Sequence, residues 1–162
     1  IIINIPTKAS IIKNIIEIKN YFLTINYIAL LIIKHLSCVM INKTVTHKGG
    51  CHCKRIRYEL IGPQSINVLE CSCSICLPIL YLHYIVPKDK FKLIKGKKFL
   101  TTYQFNKNIA KHYFCSVCGI KSFYIPRSHP NSISVNARCI DEGTIKKIKT
   151  TKFDGKNWEK IA

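Results

Sequence analysis

The chain has 162 residues, the length of one ordinary domain. It carries 26 Lys+Arg against 8 Asp+Glu, a net charge of +18. That balance points to an anionic partner, nucleic acid, an acidic membrane face or a small acidic metabolite, although it would equally serve solubility alone. Its nine cysteines argue against a secreted disulfide framework. The count is odd, and the spacings are C-x-C and C-x-x-C, where a disulfide is strained and one metal ion is chelated well. A reducing compartment follows, so the cytoplasm is the expected location and the nucleus the second.

In chain order, residues 1–39 hold 13 Ile with Asn and Lys in most of the gaps, and Met40 is the sole methionine. The expectation is that translation starts at Met40 and that residues 1–39 stand outside the fold. The apolar run Tyr21–Ile33 is 13 residues long and contains Asn26, whereas a spanning helix needs roughly 20. Lys34-His35-Leu36-Ser37 offers no small-residue cleavage site. Neither a signal peptide nor a membrane partner is expected.

From Thr44 the pattern becomes short runs broken by turn residues. Arg55–Leu60 alternates like a half-buried strand and stops at Gly62-Pro63. Ile66–Glu70, Tyr81–Val86, Phe91–Ile94, Ser122–Ile125, Ser132–Asn136 and Thr144–Thr150 read as further strands. Phe99–Phe105 and Ile109–Phe114 flank Asn106-Lys107-Asn108, a hairpin turn. No long segment repeats with a period of 3.6, so an all-β domain over residues 47–160 is expected.

Seven cysteines fall into three clusters. Cys71-Ser72-Cys73-Ser74-Ile75-Cys76 places three thiols within six residues, enough to wrap one ion and leave a fourth position for an exchangeable ligand. Cys139 or a histidine could also fill that position. Cys51-His52-Cys53, read as a strand, turns both sulfurs to one face and His52 to the other. Cys115-Ser116-Val117-Cys118-Gly119 has the form of a zinc knuckle, with Gly119 allowing the tight turn. The two distant pairs can close one tetrahedral Cys₄ site, coordinatively full and structural. Two zinc ions per chain are therefore expected. Cys38 and Cys139 read as small buried hydrophobes. His83, His112 and His129 are candidate bases or ligands, each more often simply exposed. Lys54, Arg55, Arg57 and Lys111 lie close enough in sequence to offset thiolate charge.

These motifs resemble those of the glutathione-dependent formaldehyde-activating enzyme family, which includes centromere protein V. The resemblance is carried by Gly49-Gly50-Cys51-His52-Cys53, by the Cys71–Cys76 cluster and by Phe114-Cys115-Ser116-Val117-Cys118-Gly119. It continues through Tyr84-Ile85-Val86-Pro87, Tyr124–Pro130, Asn136–Asp141 and Phe153-Asp154-Gly155-Lys156-Asn157-Trp158. It implies a β-tent fold of small antiparallel sheets pinned by a zinc-ribbon-like site. It also implies a structural zinc on Cys51, Cys53, Cys115 and Cys118, and a second zinc on Cys71, Cys73 and Cys76 where glutathione engages. The implied reaction is carbon–sulfur lyase chemistry run in reverse, joining formaldehyde to glutathione. Arg127, His129 and Arg138 are the residues that the resemblance offers for steering an anionic substrate. Two positions depart from the family pattern. Lys54 stands where glycine is usual, and Leu77–Leu82 is apolar where relatives often carry small or basic residues.

Two functions remain in view. One is an enzyme acting on a small thiol through the second zinc. The other is a binding module of the centromere protein V type, its zincs serving as scaffold and its cationic surface holding nucleic acid or an acidic protein. The open Cys₃ arrangement favours the enzyme, since no aromatic-interleaved basic stripe supports nucleic-acid binding.

Overall fold

The computed structural model describes residues 8–41 and 43–161. The chain divides into two compact units, with the boundary between Met40 and Ile41. The first unit is one helix, α1 (Lys8–Ile41, 34 residues). Its side chains from Ile16 to Leu36 are exposed. Thr24 Oγ1 and Ser37 Oγ donate back to the carbonyls of Asn20 and Ile33, at 2.9 and 2.8 Å, so these hydroxyls are satisfied within the helix. Within α1, the 22 residues Ile16–Ser37 are long and apolar enough to cross a membrane. At 1.5 Å per residue they extend about 33 Å. The shorter run Tyr21–Ile33 stops at Asn20 and Lys34, whereas the span continues past them to Ile18, Ile16 and Leu36.

The second unit is mainly β. Strands β1 (Thr44–Gly50), β2 (Arg57–Pro63) and β5 (Phe91–Lys95) form a three-stranded antiparallel sheet in the order β1-β2-β5. The larger sheet joins β3 (Ser65–Cys71), β4 (Leu82–Pro87), β6 (Leu100–Tyr103), β7 (Lys111–Cys115), β8 (Phe123–Ile125), β9 (Ser132–Asn136) and β10 (Lys147–Phe153). Its order is β10-β3-β4-β9-β8-β7-β6. Its pairs are antiparallel except β3 with β10, which run parallel from Lys147↔Ser65 to Phe153↔Cys71. A short helix, α2 (Gly155–Ile161), follows β10.

Period-2 patterning explains the strands. In β2 the buried positions Tyr58 and Leu60 alternate with half-buried Arg57 and Glu59. Tyr58, Leu60, Ile56, Ile66, Val68 and Val135 are each at most 1 % exposed and centre the core. Burying a side chain of this size contributes about 1.5–3 kcal/mol. The Tyr58 hydroxyl donates to the Cys139 carbonyl at 3.1 Å, so its polar end is satisfied. The expected Asn106-Lys107-Asn108 turn joins β6 to β7. Asn106 and Asn108 take the left-handed backbone conformation that asparagine tolerates best among non-glycine residues.

Several local expectations need correction. Cys51-His52-Cys53 lies in the turn after β1, not on a strand. The turn closes through Lys54 N–H to Cys51 C=O at 3.1 Å and Cys51 N–H to Ile56 C=O at 3.2 Å. The helix α2 was absent from the all-β reading because seven residues are too few to display a helical period. His83 and His112 are buried, whereas His52 and His129 are exposed. Cys139 is half-buried, as a small hydrophobe would be, and the side chain of Cys38 lies outside the described residues.

Candidate metal centres

The first cluster is assembled by two turns. The turn after β1 places Cys51 and Cys53 with their sulfurs 3.5 Å apart. The turn after β7 places Cys115 and Cys118, and Cys53 Sγ lies 3.7 Å from Cys115 Sγ. All four sulfurs lie within 4.8 Å of one another. Sulfurs about 2.3 Å from a tetrahedral zinc stand about 3.8 Å apart, so the spacing fits the ion and is far from a disulfide bond. Gly119 adopts a left-handed conformation and donates its N–H to Cys115 C=O at 2.8 Å, while Cys115 N–H reaches Ile120 C=O at 3.0 Å. Lys54, in the other turn, is also left-handed, with φ of 59°. That angle explains why glycine suits this position.

Local electrostatics prepare these thiols unequally. Burial pushes Cys51 up to about 11, against the Ile56 N–H that donates to its sulfur at 3.3 Å. For Cys118 burial also acts upward, but backbone N–H groups of Cys53 and Ile120 outweigh it and bring the thiol to about 6. Thiolate ligands are what a zinc site requires.

The second cluster starts at Cys71, the last residue of β3, and winds into a 3₁₀ turn over Leu77–Ile79. Cys76 N–H and Leu77 N–H both donate to Cys73 C=O, at 3.2 and 3.1 Å. Cys73 N–H faces Cys71 Sγ at 3.5 Å. The Cys76 thiol, donating to Cys73, holds the latter down to about 5 against the opposing effect of burial. Cys76 itself is strongly raised, by Cys73 and by burial. The sulfurs of Cys71 and Cys76 and a ring nitrogen of His83 lie within 4.8 Å of one another; Cys73, which adjoins both cysteines, stands outside that mutual distance. Here the donor set is sulfur with imidazole, where the first cluster is all sulfur, and both sets suit zinc.

Two neighbours of this cluster escaped the sequence reading. Gly155, at the start of α2, presses its backbone against the cysteines. A Cβ there would overlap Cys71 Sγ and come within 2.9 Å of Cys73 N. Lys121 is buried, with Nζ 4.9 and 4.6 Å from the ring centroids of Tyr81 and Tyr124 and without a hydrogen-bond partner among the described residues. Burial lowers its pKa, while the sulfurs of Cys76, Cys73 and Cys71 act in the opposite direction. The buried cation thus faces the cluster whose negative charge it offsets. Its place three residues beyond Cys118 is the only hint the sequence offers. Of the cations expected to play that part, Lys54 and Lys111 are exposed, Arg55 stacks 5.5 Å over Phe99, and Arg57 is paired with Asp141.

A cavity of about 310 Å³ opens over the second cluster. Cys71, Cys73, Cys76 and His83 line it together with Arg127 and His129. Its other walls are largely apolar, with Ile75, Ile85, Phe105, Ile109, Phe153 and Trp158 among them. The Arg127 guanidinium lies 4.4 Å over the Trp158 ring. Arg138 does not line this cavity. It donates from Nε to the Leu80 carbonyl at 3.2 Å, bracing the end of the 3₁₀ turn. His112 also lines the cavity, stacked on Tyr124 at 4.8 Å, with both ring nitrogens buried and without a hydrogen-bond partner among the described residues.

Two comparisons relate this chain to known proteins. A crystal structure of a Rhodobacter sphaeroides protein superposes with a TM-score of 0.55 at 27% sequence identity, covering 64% of this chain and 99% of that one. The sequence model of the glutathione-dependent formaldehyde-activating enzymes matches residues 46–158, the span that contains both cysteine clusters and the cavity. The chain belongs to the glutathione-dependent formaldehyde-activating enzyme family.

Proposed function

We propose that the protein joins a small thiol, glutathione in the first instance, to formaldehyde or a related aldehyde. The observation that carries this reading is the cavity floored by Cys71, Cys73 and Cys76 with Arg127 and His129 at its wall. On this reading Cys51, Cys53, Cys115 and Cys118 hold a structural zinc, and Cys71, Cys73 and Cys76 hold a second. The second zinc would supply a Lewis-acidic position at which a thiol is ionised at neutral pH.

The remaining work falls to the chain's own groups. Arg127 meets a carboxylate of the thiol, and its contact with the Trp158 ring fixes the guanidinium plane. His129, exposed at the same wall, adds a second donor. The apolar walls exclude water from the reacting carbon. Lys121 lowers the electrostatic cost of gathering thiolates on the cavity floor. In the addition itself, a sulfur–carbon bond forms and the carbonyl π pair moves to oxygen. The proton lost by the thiol ends on that oxygen, so no oxidant or reductant is needed.

The reading is tested on the cobalt-substituted protein. Glutathione should raise the sulfur-to-cobalt charge-transfer absorption, and Cys73→Ser should abolish the rise. Arg127→Ala should weaken glutathione binding about tenfold, as loss of a charge-assisted contact does, without loss of metal. An unchanged cobalt spectrum at saturating glutathione would exclude glutathione as the thiol.

A further inference from the structure

A fourth donor converges on the second cluster. His83 sits on β4 and is 6 % exposed. Its Nδ1 lies 3.1 Å from Ser134 Oγ and 3.2 Å from Tyr124 Oη, so two hydroxyls orient the ring. Its Nε2 is buried and has no hydrogen-bond partner among the described residues. Leaving a buried nitrogen unsatisfied is costly, yet this one belongs to a ring with a nitrogen within 4.8 Å of the sulfurs of both Cys71 and Cys76. Metal-ligating histidines characteristically engage one nitrogen in an outer hydrogen bond and present the other to the ion. His83 has that arrangement, with Nδ1 committed and Nε2 unengaged.

The other two candidates for a fourth ligand do not fit. Cys139 belongs to neither cluster. His112 packs its ring face on Tyr124 and does not group with the sulfurs.

We infer that Nε2 of His83 is a ligand of the metal held by Cys71, Cys73 and Cys76, making the resting centre a four-coordinate Cys₃His site in which an incoming thiol takes the place of the imidazole. This rests on the reading that the second cluster holds a metal. It changes that reading in one respect: the position offered to the thiol is occupied by the protein until the thiol arrives. The preference of sulfur-rich sites for soft ligands makes the exchange favourable for a thiol and unfavourable for water or a carboxylate. His83 would thus select a substrate by its sulfur.

The experiment uses the full chain loaded with cadmium-113 and labelled with nitrogen-15 histidine. Two cadmium ions per chain are expected, with one of them scalar-coupled to His83 Nε2. Saturating glutathione should remove that coupling while both ions remain. His83→Gln should lose the coupling and bind its second cadmium about tenfold or more weakly. If His83→Gln does not fold, the wild-type coupling alone decides. Two cadmium ions without any coupling to His83 would overturn the inference and leave the metal reading standing. One cadmium per chain would overturn both. A coupling that persists at saturating glutathione would overturn the exchange.

Discussion

The sulfurs of Cys53 and Cys115 stand 3.7 Å apart although 62 residues separate them in sequence. Among the described residues no strand pairing joins the turn after β1 to the turn after β7, which meet through the shared core and the four sulfurs. A closed zinc site contributes on the order of 10 kcal/mol to folding, comparable with the whole stability of a domain. Cys118→Ser is therefore expected to unfold the second unit or leave it labile to chelators. Two zinc ions per chain and an unchanged Tm in Cys118→Ser would rule out this role for the cluster.

Gly155 supports the other centre by having no side chain. An alanine there would overlap Cys71 Sγ and approach Cys73 Cβ at 2.8 Å. Gly155→Ala should cost about 1–3 kcal/mol through overpacking and release metal from the second cluster while the first retains its own. Metal counting after dialysis checks this. Equal retention at both clusters would show that α2 can shift without disturbing the cysteines.

His112 predicts how stability responds to acid. Burial, then the Lys121 ammonium and then His83, hold it down to about 3 from its ordinary 6.5. Between those values the unfolded chain binds the proton and the folded chain does not. The stability this group contributes is complete above pH 6.5 and is lost toward pH 3, by about 1.4 kcal/mol per pH unit. His112→Phe keeps the stack on Tyr124 and removes the titration. The fall in Tm between pH 6.5 and 4 should be shallower in the variant, and parallel curves would count against the assignment.

Lys54 carries a backbone strain that glycine would relieve. With φ of 59°, it adopts a conformation costing an L-residue about 1–2 kcal/mol. Lys54→Gly should raise stability by about 1 kcal/mol with metal content unaltered. A lower melting temperature in that variant would mean that the lysine side chain contributes more than its backbone loses.

The sequence by itself determined the cysteine groupings and most of the strands. Thiols two or three residues apart are brought together by any tight turn, so the Cys51/Cys53, Cys71/Cys73/Cys76 and Cys115/Cys118 groupings needed no knowledge of the rest of the chain. Ser132–Asn136 was legible because its alternation and flanking turns are local too, and β9 spans those same residues. Tertiary structure alone decided which remote groups meet the clusters. His83 and Lys121 resemble surface residues in sequence, and only the pairing of β4 with β9 and the packing of Tyr81 and Tyr124 place them beside the cysteines. Gly155 became critical only when the parallel pairing of β10 with β3 brought Phe153 opposite Cys71 and set the start of α2 against the sulfurs. Turn geometry is encoded within a few residues, whereas strand register across 80 residues depends on the burial of the whole core, which no short window of sequence contains.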